Sequence, residues 1–410
     1  MKAANTNFTV LDIGSSKISI IAAQLQARGD AKVGYQGVFH SNGMKAGVIN
    51  DYRKLESSIV NAIYNLESEI DRNISTISIS ISGFGTKSYY IYHKVRLLEG
   101  QVTKSDVNIL ISKALEQFSA DDQTVIHYFP IEYTLDTNNS IQNPVGMFGN
   151  ILGCRLHVIT AETSQVTNIL NCFAKCNIGV NEIIVGSYAA SLAVLTEDEK
   201  SLGSVVIDFG ASTTSFAVFV GGQLICTGYV PLGGAAITSD IAKILSISIS
   251  AAEKIKVLYG SSFSSSKENE VMINLAEFEP QFGVEDERNI TSDDLSMIIS
   301  ARAEEIIELL KSEYDKMGVD HLISRRVILT GGGSQLRGIK EIVSENFRKQ
   351  VRLGNPLNIP GFVIDHSVMS YCSAIGIIKY EMIKQIKHSS FSTNSSNFFG
   401  KFSKWLKQSL

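Results

Sequence analysis

The stretch Gly203-Ser204-Val205-Val206-Ile207-Asp208-Phe209-Gly210-Ala211-Ser212-Thr213-Thr214 decides the fold. Ser204–Ile207 is a short, β-branched apolar run and reads as a buried strand. It runs into a turn of small residues that carries one carboxylate, Asp208. Small residues let backbone N–H groups approach a phosphate closely, and Ser or Thr hydroxyls add donors. The same arrangement stands near the N-terminus, where the strand Phe8–Leu11 enters Asp12-Ile13-Gly14-Ser15-Ser16-Lys17. Both copies read apolar run, Asp, apolar, Gly, small, Ser. A single copy would be an ordinary polar hairpin, but two copies imply a duplicated nucleotide-binding unit. A third cluster, Gly331-Gly332-Gly333-Ser334, follows the buried strand Arg326–Thr330 and would lie flat against something bulky such as an adenosine.

Around the first turn, strands are expected at Phe8–Ile13, Ile18–Gln24, Lys32–His40 and Ile74–Ile81. A helix is expected over Tyr52–Ile70, capped by Asp51 and buried along Leu55, Ile59, Ile63 and Leu66. From about residue 84 an α+β insertion begins, with a helix over Ser105–Phe118 and strands over Thr124–Leu135 and Leu152–Thr160 around a polar loop, Asp136–Pro144. The core resumes with the helix Thr163–Cys176, the strand Glu182–Gly186 and the small-residue helix Ser187–Leu195. Thr196–Lys200 reads as a solvated loop. After the second turn, Gly221-Gly222 marks a hairpin. Pro231-Leu232-Gly233-Gly234 then leads into a helix, followed by a helix over Ala251–Leu258 and a long amphipathic one over Ser292–Gly318.

At 410 residues the chain is long enough for two or more cores. A formal charge of −4, with no strongly basic domain, argues against general nucleic-acid binding. Five scattered cysteines suit a reducing compartment. Cys172 and Cys176 lie one helical turn apart without a second Cys/His pair, so packing is expected there rather than zinc. No apolar run reaches the roughly 18–20 residues of a membrane span, and MKAANTNFTV lacks the apolar core of a signal peptide, so the body is expected in the cytoplasm.

A duplicated Asp-bearing turn resembles the actin-like ATPase fold, in which two similar domains offer phosphate-binding turns to a cleft between them. More specifically, the chain resembles the FtsA family of bacterial cell-division proteins. The resemblance is carried by Asp12-Ile13-Gly14-Ser15-Ser16-Lys17, Ile81-Ser82-Gly83, Pro144–Gly149, Ala193–Glu199, Asp240-Ile241-Ala242, Ala252–Lys256 and Leu329–Gly333. It implies a duplicated ribonuclease H-like α/β fold with subdomain 1A at 1–83 and 163–200, and an inserted α+β subdomain 1C at 84–162. Subdomain 2A would span 201–230 and 311–387, and subdomain 2B 231–310. It implies ATP and Mg²⁺ as cofactors, with Asp12 and Asp208 holding the metal through water. Gly14, Ser15, Ser16, Lys17, Gly210, Ala211, Ser212 and Thr213 would clamp the phosphates. Gly233, Gly234, Glu253, Lys256, Gly331, Gly332 and Gly333 would surround ribose and base. Glu253 and Lys256 also suit a plain ion pair along one helix.

Two departures stand out. Ala211-Ser212 replaces two glycines of the family's usual second turn, which restricts positive φ. Gly186-Ser187-Tyr188-Ala189-Ala190 supplies no Gln or Glu to orient an attacking water, so binding with at most weak ATPase activity is expected.

After a polar linker, 388–397, the chain closes on Phe398-Phe399-Gly400-Lys401-Phe402-Ser403-Lys404-Trp405-Leu406-Lys407-Gln408-Ser409-Leu410. At about 100° per residue Phe398, Phe399, Phe402, Trp405, Leu406 and Leu410 share an arc of roughly 140°, with Lys401, Lys404 and Lys407 outside it. This reads as a basic amphipathic helix for an anionic lipid surface, although docking on the chain's own core is also open to it. The resemblance adds further partners: the C-terminal peptide of the tubulin-like FtsZ on 2B (Arg302 being a candidate contact), other copies of the chain in a polymer, and later division proteins through 1C. The chain would then act as a membrane-tethering adaptor on the cytoplasmic face of the inner membrane at the division site. An actin-fold small-molecule kinase and a pilus-assembly scaffold are the competing readings. Neither gives the tail a purpose.

Overall fold

The computed structural model describes residues 7–26, 30–263, 271–279, 288–323, 326–364 and 368–389. The first half contains β1 (Asn7–Ile13), β2 (Lys17–Leu25), β3 (Ala31–His40), a short hairpin of β4 (Met44–Lys45) and β5 (Val48–Ile49), α1 (Tyr52–Ile70) and β6 (Thr76–Ile81). The Asp51 side chain accepts from Lys54 N at 3.2 Å and caps α1 as expected, and the Leu55, Ile59, Ile63 and Leu66 stripe is buried. An inserted unit follows: β7 (Lys87–Arg96), α2 (Lys104–Gln117), β8 (Gln123–Leu135), β9 (Asn138–Ile141) and β10 (Ile151–Glu162). The chain then returns through α3 (Thr163–Lys175), β11 (Gly179–Val185), α4 (Gly186–Val194) and α5 (Glu197–Leu202).

The second half contains β12 (Ser204–Phe209), β13 (Thr214–Val220), β14 (Gln223–Val230), α6 (Gly234–Leu245), α7 (Ile249–Tyr259), β15 (Met272–Asn274), β16 (Asn289–Thr291), α8 (Ser292–Lys316), β17 (Arg326–Thr330), α9 (Ile339–Phe347), β18 (Gln350–Leu353) and α10 (Cys372–Ser389). Two five-stranded sheets share one topology. The first has the order β11-β6-β1-β2-β3 and the second, read from its other edge, β18-β17-β12-β13-β14. In each, an antiparallel meander is extended by parallel strands on the far side of its first strand. Register repeats as well. Asp12 lies opposite Ser19 and Ser80, and Asp208 opposite Ser215 and Thr330.

Helices cross between the halves. α4 packs on β6 and β11 of the first sheet and also on β12, β13, β14 and β17 of the second, whereas α10 follows the second sheet and packs on α4 and on β1, β2 and β6. Small residues make the crossing tight. A Cβ on Gly376 of α10 would sit 1.7 Å from the Ala189 carbonyl of α4.

The inserted unit forms its own sheet, β7-β10-β8-β9, backed by α2 and docked on β14. The Tyr90 hydroxyl donates to Ile225 O at 2.8 Å, and His157 Nδ1 meets Leu224 O at 3.1 Å. Two local expectations need correction. The polar loop after β8 contains β9, paired antiparallel to β8. Thr196–Lys200 is the start of helix α5, closed by a capping box in which Thr196 and Glu199 cap each other. Glu199 is only 6% exposed because Arg352 of β18 grips it, Nε to Oε1 at 2.7 Å and Nη2 to Oε2 at 2.6 Å. Among the described residues no single helix is long and apolar enough to cross a membrane.

Candidate functional site

The two Asp-bearing turns have the same backbone. Gly14 N donates to Lys17 O at 3.0 Å, and Gly210 N to Thr213 O at 2.9 Å. A Cβ on either glycine would come within 2.8 Å of the carbonyl it serves, so both positions exclude a side chain. Lys17 and Thr213 are therefore equivalent in the repeat. The turns face each other: a hydrogen bond joins the Ser15 and Ser212 hydroxyls across the halves. Ser16 O accepts from Ser41 N at 3.0 Å and so ties the first turn to the end of β3.

Asp12 and Asp208, each at the end of its strand, are partly buried. Burial pushes the Asp12 carboxyl up to about 6, held back by the Ser80 hydroxyl that donates to it and by the nearby Lys17 charge. Burial, then the Asp12 charge, pushes Asp208 up to about 7, again opposed by Lys17. Burial also lowers Lys17, while both carboxylates raise it. Two desolvated carboxylates thus share one ammonium, and among the described residues neither makes an ion pair. That donor set is short of positive charge and fits a hydrated divalent cation.

The second turn is pinned to the start of α6, where Gly234 N donates to Gly210 O at 3.0 Å and Ala235 N to Ala211 O at 2.7 Å. A Cβ on Gly233 would lie 2.5 Å from Gly210 O. Lys256 donates to Glu253 Oε2 at 2.7 Å, Thr238 Oγ1 at 2.7 Å and Gly234 O at 3.1 Å, so the α7 pair forms the ion pair and also stands beside the glycines. Gly331 adopts φ +84°, ψ 165°, a region only glycine occupies readily. A Cβ there would meet Asp208 Oδ1 at 2.3 Å and Phe209 O at 2.6 Å. A Cβ on Gly333 would meet the Phe209 ring at 2.8 Å, and one on Gly332 would lie 3.2 Å from Lys17 Nζ. The chain's own packing against Asp208-Phe209 already requires Gly331 and Gly333. Ala211 and Ser212 are not among the residues at positive φ, so replacing the family's glycines costs no backbone strain.

Sequence reasoning missed Ser80, which holds Asp12, and Ser370, whose hydroxyl accepts from Lys17. It also missed Gly47, where a Cβ would lie 2.8 Å from Thr213 Cγ2 and 2.8 Å from the Gly83 Cα. The repeat itself was a signal for Ser80, since the alternating serines before Ile81 occupy the place of Thr330 in the second half. Ser370 carries no such signal. The first turn of α4 holds no acidic residue, and its Ser187 hydroxyl bonds Thr227 Oγ1 at 2.7 Å. Arg302 lies away from the turns on α8, paired with Asp240 of α6 and with Glu305. Cys172 and Cys176 are free thiols, and the described residues hold no group of three His, Cys, Asp or Glu able to take a metal. The tail residues Phe398, Phe399, Lys401, Phe402, Lys404, Trp405, Leu406, Lys407 and Leu410 lie outside the described residues.

Among solved structures, the chain superposes on the PilM–PilN type IV pilus biogenesis complex with a TM-score of 0.63 at 15% identity, covering 92% of this chain and 99% of that one. It superposes on Spiroplasma citri MreB5 bound to ADP with a TM-score of 0.52 at 14% identity, covering 94% and 99%. These likenesses show an actin-like fold. The family model for Cell division protein FtsA matches residues 205–376, and the model for the SHS2 domain inserted in FtsA matches 83–160, the inserted unit. Cell division protein FtsA of Agrobacterium fabrum is 32% identical over 98% of this chain and 94% of its own length. That of Escherichia coli K12 is 30% identical over 93% and 91%. The chain belongs to the FtsA family of cell division proteins.

Proposed function

We propose that the chain binds ATP–Mg²⁺ between its two turns and, as a nucleotide-dependent polymer, tethers FtsZ filaments to the cytoplasmic membrane and helps recruit later division proteins. The observation that carries the nucleotide reading is the meeting of the turns: Ser15 against Ser212, with Asp12, Asp208 and Lys17 sharing one partly buried space. Asp12 and Asp208 hold the Mg²⁺ through water, the turn amides and hydroxyls with Lys17 take the phosphates, and Gly233, Gly234, Glu253, Lys256 and Gly331–Gly333 border the nucleoside. The cation neutralises phosphate charge beside the two carboxylates. With no Gln or Glu in the first turn of α4, the arrangement favours binding over rapid turnover.

The tether reading rests on the sequence of residues 398–410. Six apolar side chains at about 1.5 kcal/mol each and three lysines at about 1 kcal/mol each are matched by the cost of ordering thirteen residues at about 1 kcal/mol each. One copy therefore binds lipid reversibly, and a polymer multiplies the attachment through avidity. Co-sedimentation with anionic vesicles tests the whole reading, using the full chain and a chain ending at His388, with and without Mg²⁺-ATP, and with and without FtsZ. The full chain should bring FtsZ to vesicles, more so with ATP. Equal sedimentation of the truncated chain would defeat the tether.

A further inference from the structure

We infer that Ser370, at the entrance to α10, is a positioning residue of the nucleotide site: it holds the Lys17 ammonium in line for phosphate and couples the site to the C-terminal helix. This rests on the nucleotide reading above.

Lys17 opens β2, and a lysine carried on four methylenes loses much rotamer freedom when it must meet one phosphate oxygen. In the structure that freedom is already restricted, because Lys17 Nζ donates to Ser370 Oγ. Ser370 is itself fixed. Its carbonyl accepts from the Ser19 hydroxyl at 2.8 Å, and Ser19 is the residue opposite Asp12 in the β1–β2 register. Two residues on, Cys372 Sγ accepts from Thr330 Oγ1 at 3.0 Å, and Thr330 is the residue opposite Asp208 in the β12–β17 register. The start of α10 is thus tied to the strand neighbours of both aspartates. An ammonium has three donors. With one used on Ser370, the other two remain for the carboxylate side and for an incoming phosphate, and Gly332 leaves open space 3.2 Å away where a side chain would crowd Nζ.

A contact that only anchors α10 and one that aligns Lys17 differ in a double-mutant cycle. Mg²⁺-ATP affinity would be titrated for the full chain as wild type, Ser370→Ala, Lys17→Ala and the double variant, with adenosine as a phosphate-free probe and thermal melting of each. Loss of one hydrogen bond to a charged donor corresponds to about 10-fold in affinity. Ser370→Ala should weaken Mg²⁺-ATP by about that factor while leaving adenosine unchanged, and should cost nothing further once Lys17 is gone. Ser370→Thr, which keeps the hydroxyl, should restore binding. If Ser370→Ala does not fold, Ser370→Cys keeps the volume with a weaker acceptor and takes its place in the cycle. Additive losses, or equal losses for adenosine and ATP, would reduce Ser370 to a helix anchor and overturn the inference. Wild type that fails to bind Mg²⁺-ATP would instead overturn the nucleotide reading on which it rests.

Discussion

The two turns share a backbone but not their neighbours. At Asp12 the opposing strand residue, Ser80, gives its hydroxyl to the carboxylate. At Asp208 the equivalent residue, Thr330, shares its one hydroxyl proton between Gly354 O and Cys372 Sγ, both at 3.0 Å, instead. Asp208 lacks the hydrogen bond that favours ionised Asp12, and burial followed by the Asp12 charge pushes its carboxyl up. The next difference is in charge. The position that holds Lys17 in the first turn holds Thr213 in the second. Duplication therefore preserved the frame that presents backbone donors. It left the side chains free to divide the work, with the cation on one side and hydroxyls on the other.

The largest effect is expected where the second half departs most from the first. Gly331→Ala forces a side chain into a glycine-only region and against Asp208 and Phe209. It should cost about 3 kcal/mol of stability, read by denaturant unfolding. The first half has Ile81 at the equivalent place, so the requirement belongs to one turn and not to the repeat. Gly14→Ala and Gly210→Ala meet the same 2.8 Å contact, and each should cost about 1–2 kcal/mol, equal within error. Unequal costs would break the backbone equivalence.

The repeat was legible in the sequence because such turns are written in local residue types: Asp, Gly, Ser and a β-branched run. Helix α1 was legible for the same reason, with its Asp51 cap and 3.6-residue stripe. What could not be read there depends on distant partners. The packing of α4 and α10 against each other between the sheets shows only as an abundance of small residues. Ser370 reaches Lys17 from the far end of the chain, and α5 is held by Arg352, far along the chain on β18. Short sequence windows carry no trace of such pairings.

Acidity separates the free and occupied cleft. Both carboxyls bind protons more tightly in the fold than in the unfolded chain, so the stabilisation they give is complete below their usual value near 3.8 and is lost as pH rises through about 6 to 7. The buried imidazoles of His127 and His157, held well below their usual value, act in the opposite direction, so the carboxyl effect is read as a difference: relative to Asp208→Asn, the unliganded wild type should melt lower at pH 7.5 than at pH 5.5. In the proposed site Mg²⁺-ATP would need both groups ionised, so its affinity should rise over the same window. A melting difference between wild type and Asp208→Asn that does not change with pH would contradict shared burial of the pair.

The smallest effect is expected at Ala211→Gly, which restores a family glycine. Because Ala211 does not occupy positive φ, nucleotide affinity should change by less than about two-fold.

The central claim is that the two aspartates meet one metal–nucleotide complex. Calorimetric titration of Mg²⁺-ATP into wild type, Asp12→Ala and Asp208→Ala tests it most directly, with a melting curve to show that each chain is folded. Wild type should bind, and either substitution alone should weaken binding by at least about 100-fold, as loss of one side of a two-carboxylate site requires. A folded Asp208→Ala chain that binds Mg²⁺-ATP as tightly as wild type would contradict the account.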